Sequence, residues 1–283
     1  MTAAEWIAKA RGVVPSSDSA NRLLGLLGRT SVSNDDIVKI IRCDGVLTAK
    51  VLQVCNSPLM GLRQRVASVD QALMAIGHRE VFRLVLAISY SAAMAEPIPG
   101  FAMAAKEFLR QSLATAAAAE VVMESGLWKG GETPMAFTAG LLQDIGELVI
   151  GGALTAEMVG SMRTRVESGG ISRIEAEREM LGTDHAEVGS NLLTSWNVPE
   201  EIVEAVANHH QPVVSPVTRL SVVTHLADCL AHLAGGAPGW GSYAIRVSTP
   251  VVESMGIDSE RLDALVIATR TSIERMERFT AVL

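Results

Sequence analysis

Two adjacent polar residues, Gln143 and Asp144, interrupt an otherwise apolar stretch, FTAGLLQDIGELVI, at residues 137–150. A buried amide or carboxylate without a partner costs free energy, so this pair should meet polar groups from elsewhere in the chain. The side chains that could supply these groups lie on or beside apolar helix faces, and they are Gln111, His185, His209, His210 and Asp228. Amides, imidazoles and carboxylates can share hydrogen bonds and charge, so these residues define a candidate polar site.

The histidines of this set also have an ordinary structural role open to them. His185 stands in line with Leu192 on an apolar helix face, and His209 continues the stripe of Ile202 and Val206. A lone histidine at such a position is usually a hydrogen-bonded core residue. Spacing alone leaves both roles open.

The acidic candidates have alternatives of the same kind. Asp144 is followed by Glu147 at the spacing of a capping box, so Asp144 could simply cap a helix. Asp228 could instead belong to a solvated helix face. The residues that share its helical spacing are Ser221, Thr224, His225 and His232. We expect His78, His225 and His232 to be surface or boundary residues.

Apolar residues recur with helical spacing along the chain and no run alternates as a strand does, which predicts an all-α fold. Helices are expected at about residues 2–13, 18–29, 33–43, 44–55, 68–77, 78–94, 101–124, 137–150 with a break at the polar pair, 155–168, 171–181, 184–196, 199–210, 217–234 and 259–278. The segment Glu96–Gly100 contains two prolines and a glycine, and it is the clearest break between two lobes.

One helix of the first lobe is unusually apolar. Val46, Leu47, Val51 and Leu52 form a stripe that should not face solvent. We expect this stripe to pack against the second lobe.

Composition excludes several classes of function. The 283 residues carry a net charge of −7 and no cluster of Lys and Arg, which argues against nucleic-acid binding. No apolar run reaches the roughly 18 to 20 residues that cross a bilayer, and the first residues lack a secretory leader pattern, so we expect a cytoplasmic protein without membrane contact. Cys43, Cys55 and Cys229 lie in apolar helical patterns without CxxC spacing, which indicates buried free thiols.

Several long stretches together resemble a known family. They are DGVLTAKVLQVCNSPLMGLRQRVASVDQALMAIGHREVFRLVLA at 44–87, LRQSLATA at 109–116, AGLLQDIGELVI at 139–150 and LGTDHAEVGSNLLTSWNVPEEIVEAVANHHQP at 181–212. From about residue 17 to residue 211 the sequence resembles the HDOD domain, a helical relative of the HD metal-dependent phosphohydrolases. The resemblance implies an N-terminal helical lobe at 1–98, an HD-like lobe at 99–212 and a helical extension at 213–283.

The same resemblance assigns roles to the candidate residues. Enzymes of the wider HD superfamily hold one or two metal ions with a first histidine, a His-Asp pair, further histidines and a late aspartate. Gln111 corresponds to the first histidine and Gln143–Asp144 to the pair, and the ligands that survive are Asp144, His185, His209 or His210, and Asp228. Glu147 stands where many catalytic relatives carry a lysine. An amide oxygen is a far weaker ligand than imidazole for Zn, Fe or Mn, so the resemblance implies a degenerate pocket with no metal and no cofactor.

Without a metal ion there is no low-pKa water to attack a phosphoester at neutral pH. The resemblance therefore implies a non-catalytic bacterial signalling module that acts by binding a partner protein. It leaves open whether the chain also forms a homodimer. The alternative is a residual metal-dependent phosphohydrolase or cyclic-dinucleotide phosphodiesterase that uses Asp144, His185, His209, His210 and Asp228.

Overall fold

The computed structural model describes residues 1–9, 34–93, 105–127, 133–212, 219–236 and 247–280. Within these ranges the chain forms helices and turns and no strand, so the predicted all-α fold is confirmed. The helix expected at 18–29 and the break at Glu96–Gly100 lie outside the described residues. Among the residues that are described, no helix combines the length and apolar character that a bilayer span requires.

The first part of the chain contains five α-helices among its described residues. They are α1 (Ala3–Lys9), α2 (Asn34–Arg42), α3 (Gly45–Cys55), α4 (Val69–Ile76) and α5 (His78–Ala93). Local chemistry sets their ends: Asp44 Oδ1 accepts the N–H of Leu47 at 3.0 Å and Ser68 Oγ accepts the N–H of Gln71 at 3.2 Å. Helices α2 to α5 pack against one another and form the N-terminal lobe.

The second part carries the candidate site residues. Its helices are α6 (Ala105–Glu124), α7 (Thr133–Leu142), α8 (Ile145–Gly151), α9 (Ala156–Gly169), α10 (Arg173–Leu181), α11 (His185–Ser195) and α12 (Glu200–Asn208). The break predicted at the polar pair is confirmed, because Gln143 and Asp144 separate α7 from α8. Small residues bring α6 and α7 into backbone contact: a Cβ added at Gly140 would lie 2.8 Å from the carbonyl oxygen of Thr115.

The C-terminal part contributes α13 (Arg219–Leu233), α14 (Thr249–Ser254) and α15 (Ser259–Thr280). Helix α13 packs against α6, α7 and α12, and α15 packs against α6 and α13. The short helix α14 was not predicted, since its six residues are too few to show a helical period. The contacts of α13 place Asp228 beside the HD-like lobe.

A buried ion pair joins the two lobes. Arg83 of α5 donates through Nε to Glu120 Oε1 of α6 at 2.8 Å, and both side chains are buried. The Arg83 guanidinium also lies over the ring of Phe137, 5.6 Å from its centroid. A buried charge is costly without its partner, so this ion pair favours the arrangement in which α5 and α6 keep Arg83 and Glu120 in contact.

Helix α1 packs differently from the rest of residues 1–98. It contacts α11 and α8 of the HD-like lobe, with Trp6 buried. The terminal ammonium of Met1 donates to the carbonyl of Leu181 at 3.2 Å. The sequence-based division placed this helix in the N-terminal lobe, but its contacts are with the helix that carries His185.

Two expectations about burial are wrong in part. Val46 is 70% exposed, whereas Leu47 and Val51 are buried. Helix α3 packs mainly on α2, α4 and α5 of its own lobe, so Val46 at its first turn is left facing solvent. Cys43 is exposed, while Cys55 and Cys229 are buried free thiols as predicted.

Candidate functional site

The carboxylate of Asp144 lies at the centre of a buried polar cluster. Its Oδ2 atom accepts hydrogen bonds from Gln111 Nε2 at 3.0 Å and from Gln143 Nε2 at 3.3 Å. Asp144 is only 4% exposed, so these amides replace the water that an open carboxylate would bind. Asp144 occupies the N-cap position of helix α8, but its side chain makes no capping bond, so the alternative role as a capping side chain is not observed.

Gln143 extends the cluster to helix α13. The same Nε2 atom donates to Asp228 Oδ1 at 2.8 Å. His232 Nδ1 lies 3.4 Å from that Asp228 oxygen and 2.9 Å from the Asp228 carbonyl. Asp228 is buried, so it does not belong to a solvated helix face. His225 is also buried, and the surface or boundary position expected for it is wrong.

Three imidazoles face the other oxygen of Asp144. His185 Nε2 lies 3.5 Å and His209 Nε2 3.6 Å from Asp144 Oδ1. His210 Nε2 lies 2.8 Å from His185 Nε2. One ligand atom from each of Asp144, His185, His209 and His210 falls within 4.8 Å of the others. The fold thus brings together all seven residues singled out from the sequence. One set joins Asp144 to Gln111, Gln143 and Asp228, and the other joins Asp144 to the three histidines.

Glycines allow the helices that carry Asp144 and His185 to meet. A Cβ at Gly146 would lie 1.9 Å from the carbonyl oxygen of His185 and 2.7 Å from the backbone nitrogen of Gly189. No side chain fits in that space, so α8 and α11 cross at backbone distance. Asp184 caps α11 by accepting the N–H of Glu187 at 2.8 Å, which starts the helix at His185.

The outer nitrogens of two imidazoles have buried acceptors. Glu177 Oε2 lies 2.7 Å from His185 Nδ1 and accepts the backbone N–H of His185 at 2.9 Å. The Val206 carbonyl lies 2.7 Å from His209 Nδ1. Because a carbonyl only accepts, His209 donates its Nδ1 proton to Val206, and its Nε2 atom faces Asp144.

Charged residues behind the histidines form a second buried group. Arg173 contacts Glu147 Oε1 at 2.6 Å and Glu177 Oε1 at 2.9 Å. Sequence reasoning noted Glu147 by position but missed Arg173 and Glu177. The four-residue spacing of Arg173 and Glu177 on one helix was the only available signal, and such pairs are common on exposed helices.

Burial and neighbouring charges shift the pKa values in the pocket. Burial raises the pKa of the Asp144 carboxyl, but hydrogen bonding from His209 and the charge of His185 hold it well below its usual range. Burial opposes charge on His185, yet the Glu177 carboxylate raises the His185 pKa to about 9. Burial raises the Glu147 pKa to about 7 despite Arg173. Burial, with His209 and His185 nearby, lowers the pKa of His210.

His225 forms a link that sequence reasoning did not anticipate. Its Nδ1 lies 2.7 Å from the carbonyl of His209, and its Nε2 accepts the backbone N–H of Ser248 at 3.0 Å. His225 therefore joins the histidine segment of the pocket to the stretch that precedes α14. A histidine with both nitrogens bonded to backbone is a structural connector, and sequence spacing cannot show this.

Across the described residues, helices arranged around a buried cluster of histidine, aspartate and glutamine side chains define a helical domain of the HD-like class. The HDOD domain family matches residues 14–212, more than half of the chain, and the chain belongs to that family.

Solved structures show the same fold. A provisionally named signal transduction protein from Marinobacter aquaeolei VT8 is 21% identical with a TM-score of 0.74, over 96% of this chain and 61% of that chain. A provisionally named phosphohydrolase from Shewanella amazonensis SB2B is 22% identical with a TM-score of 0.70, over 98% of both chains. An HDOD domain protein of unknown function from Geobacter sulfurreducens is 20% identical with a TM-score of 0.66, over 98% of this chain and 96% of that chain.

Among curated proteins, an uncharacterised protein of Treponema pallidum (strain Nichols) is 25% identical over 219 residues, which cover 70% of this chain. The match spans 39% of the length of that relative.

Proposed function

We propose that this chain is a non-catalytic regulatory module of bacterial signalling that acts by binding a partner protein. One observation carries the proposal: the Gln143 amide nitrogen is hydrogen-bonded to both Asp144 and Asp228, and the Gln111 amide nitrogen is bonded to Asp144. These are the positions where the resemblance places metal ligands in hydrolytic relatives.

The amides oppose a hydrolytic centre in two ways. An amide N–H donates and cannot bind a cation, so Gln111 and Gln143 present the wrong end toward the carboxylates. Their hydrogen bonds also occupy Asp144 Oδ2 and Asp228 Oδ1, which are oxygens that a metal ion would need. The half of the pocket between Asp144 and Asp228 is therefore closed by hydrogen bonds.

The surroundings of Glu147 support the same conclusion. Phosphoryl chemistry depends on cations that neutralise the charge developing on the phosphate oxygens. Glu147 instead adds a buried carboxylate close to the pocket, and the nearby Arg173 is engaged with Glu147 and Glu177.

Family membership supports a regulatory role of this kind. The Marinobacter relative carries a signal transduction name, and this chain covers 61% of its length. We propose that the partner is a protein of a signalling pathway, and self-association as a homodimer is a second form of the same role.

One observation favours a second candidate, a residual metal-dependent phosphohydrolase or cyclic-dinucleotide phosphodiesterase. The ligand atoms of Asp144, His185, His209 and His210 lie within 4.8 Å of one another. A metal ion held there could lower the pKa of a bound water if one coordination position stayed open.

Hydrolysis assays separate the two candidates. The purified protein is incubated with a chromogenic phosphomonoester or a cyclic dinucleotide in the presence of Mn²⁺ or Zn²⁺, alongside Asp144→Asn. We expect the two proteins to give the same background. Turnover by the parent that Asp144→Asn abolishes would favour the second candidate.

A further inference from the structure

Helix α1 packs on the two helices that position the pocket. It contacts α11, which begins at His185, and α8, which directly follows Asp144. Ala3 and Trp6 of α1 are buried in the main core, and Ile7 packs against it. These three residues have the i, i+3 and i+4 spacing of one helix side. The surface formed by α8 and α11 therefore binds one amphipathic helix, α1 itself.

Few contacts hold α1 in this place. Of its seven residues, only Ala3 and Trp6 are buried. Just before the helix, the Met1 ammonium donates to the Leu181 carbonyl at 3.2 Å. A helix this short is marginal in water on its own, so α1 depends on docking for its helical form.

The main anchor of α1 is imperfectly matched to the surface. Trp6 is 3% exposed, and its Nε1 donor is buried without a hydrogen-bond partner among the described residues. A buried donor without an acceptor reduces the stabilisation that docking provides. A helix whose aromatic anchor has no polar hydrogen avoids this cost and can compete with α1.

The contacts of α1 also separate it from the helices that follow it in sequence. Helices α2 to α5 pack on one another, whereas α1 packs on the HD-like lobe. Undocking of α1 therefore leaves the contacts of the N-terminal lobe in place. Segments held in this way open locally before the whole molecule unfolds.

We propose that α1 is a displaceable helix and that the α8–α11 surface beneath it binds a helix of a partner protein. The partner helix is amphipathic and carries a small, an aromatic and an aliphatic residue at the positions of Ala3, Trp6 and Ile7. One surface holds one helix, so the partner and α1 compete. The inference rests on the proposed function, because it assigns a place and a chemistry to the partner.

A partner bound at this surface acts on the pocket through close packing. A Cβ at Gly146 of α8 would lie 2.7 Å from the backbone nitrogen of Gly189 in α11. Helices that meet at backbone distance cannot move independently, since a packed interior transmits strain. A helix bound to α8 and α11 therefore contacts the elements that place Asp144 and His185.

Hydrogen exchange on the full chain tests whether α1 opens. Its first helical hydrogen bond runs from the Trp6 N–H to the Thr2 carbonyl. We expect the amides from Trp6 onward in α1 to be at least about 100-fold less protected than those of α11, because local opening needs less free energy than global unfolding. Equal protection would show that α1 is an integral part of the core and would overturn the inference.

Peptide binding tests the surface itself. A fluorescent peptide with the sequence of residues 1–9 is titrated against the full chain and against its Trp6→Ala variant, which lacks the anchor of α1. Fluorescence anisotropy should show one peptide bound per variant chain, about tenfold or more tighter than to the parent, where docked α1 reduces the fraction of chains able to bind. The same peptide with Trp6→Ala should not bind. Met74→Ala removes an exposed side chain from α4, and this control chain should bind as the parent does.

The alternatives give different results. Absence of peptide binding to a folded Trp6→Ala chain would overturn the inference. A dimer of the parent that Trp6→Ala dissociates, seen by sedimentation, would assign the surface to α1 of a second copy and would also overturn it. If Trp6→Ala does not fold, the exchange measurement on the parent decides. These failures leave partner binding at another surface intact, whereas turnover in the hydrolysis assays would contradict the proposed function and leave the peptide result unchanged.

Discussion

Gln143 Nε2 lies 2.8 Å from Asp228 Oδ1, and this hydrogen bond joins the end of α7 to α13 inside the pocket. The two residues are far apart in sequence, and both are buried. An amide that satisfies a buried carboxylate has a structural role, so Gln143 stabilises the pocket.

Replacing Gln143 with leucine should therefore destabilise the fold. The change keeps most of the volume but leaves Asp228 without this donor, at a cost of about 1 to 3 kcal/mol. Urea denaturation measures the free energy of unfolding. Gln53→Leu on the exposed face of α3 is the matched control and should change it by less than about 0.5 kcal/mol. Equal effects would mean that the bond to Asp228 contributes little.

Introducing imidazoles at positions 111 and 143 should open the closed half of the pocket. In the double variant Gln111→His with Gln143→His, Asp144 Oδ2 and Asp228 Oδ1 lose their amide donors and gain histidine neighbours. We expect the double variant to gain stability on adding metal, by roughly 2.7 kcal/mol at free metal 100 times the dissociation constant, and the parent to gain little.

Thermal melting with and without Zn²⁺ or Mn²⁺ measures this gain in the parent, each single variant and the double variant. Each single variant should gain less than the double, since each still lacks one imidazole. An identical metal response in all four proteins would show that Gln111 and Gln143 do not occupy ligand positions.

Gly146→Ala should disturb the pocket by pushing apart helices α8 and α11. The new methyl group would lie 1.9 Å from the His185 carbonyl, so α11 must move away from α8. Overpacking of this kind costs about 1 to 3 kcal/mol.

The matched control is Gly160→Ala in α9, where an added Cβ meets nothing within 4 Å. That change should stabilise the chain by about 0.4 to 1 kcal/mol, because alanine restricts the unfolded state. Urea denaturation of the two variants measures both effects. If both variants behave alike, the close crossing of α8 and α11 does not position the site.

Arg83→Met should weaken the joint between the lobes. It leaves Glu120 buried beside α5 without its cation, and breaking a buried pair in this way costs about 3 to 5 kcal/mol. The control is Arg79→Met, which removes the exposed partner of Glu124 and should cost about 1 kcal/mol or less. Unfolding free energies that do not differ between the two variants would contradict the role given to Arg83.

Sequence reasoning identified most of the helices that the structure describes, and it identified the seven pocket residues, because both leave local marks. Apolar periodicity marks a helix, and a polar pair such as Gln143–Asp144 stands out inside an apolar stretch. The direction of each hydrogen bond was not predictable, since it depends on contacts between distant helices. For that reason the donation from Gln143 to Asp228 and the Glu177–His185 pair appeared only in three dimensions.

The errors have the same origin. Asp144 shows capping-box spacing, but its carboxylate is drawn to Gln111 and Gln143 instead of its own helix. His225 lies at the spacing of a polar face, yet packing against α12 buries it and pairs it with backbone groups. Val46 belongs to an apolar stripe, but the short α3 turns that residue outward. In each case tertiary contacts outweighed the local pattern.

The most direct test of the non-catalytic reading is the turnover of protein loaded with a known amount of metal. The chain is saturated with Zn²⁺ or Mn²⁺, the bound ion is quantified by elemental analysis, and hydrolysis of a phosphomonoester and of a cyclic dinucleotide is followed with Asp144→Asn as the reference. We predict no turnover by the parent above the reference, whatever amount of metal it carries. Saturable turnover that is present in the parent and absent in Asp144→Asn would contradict the account.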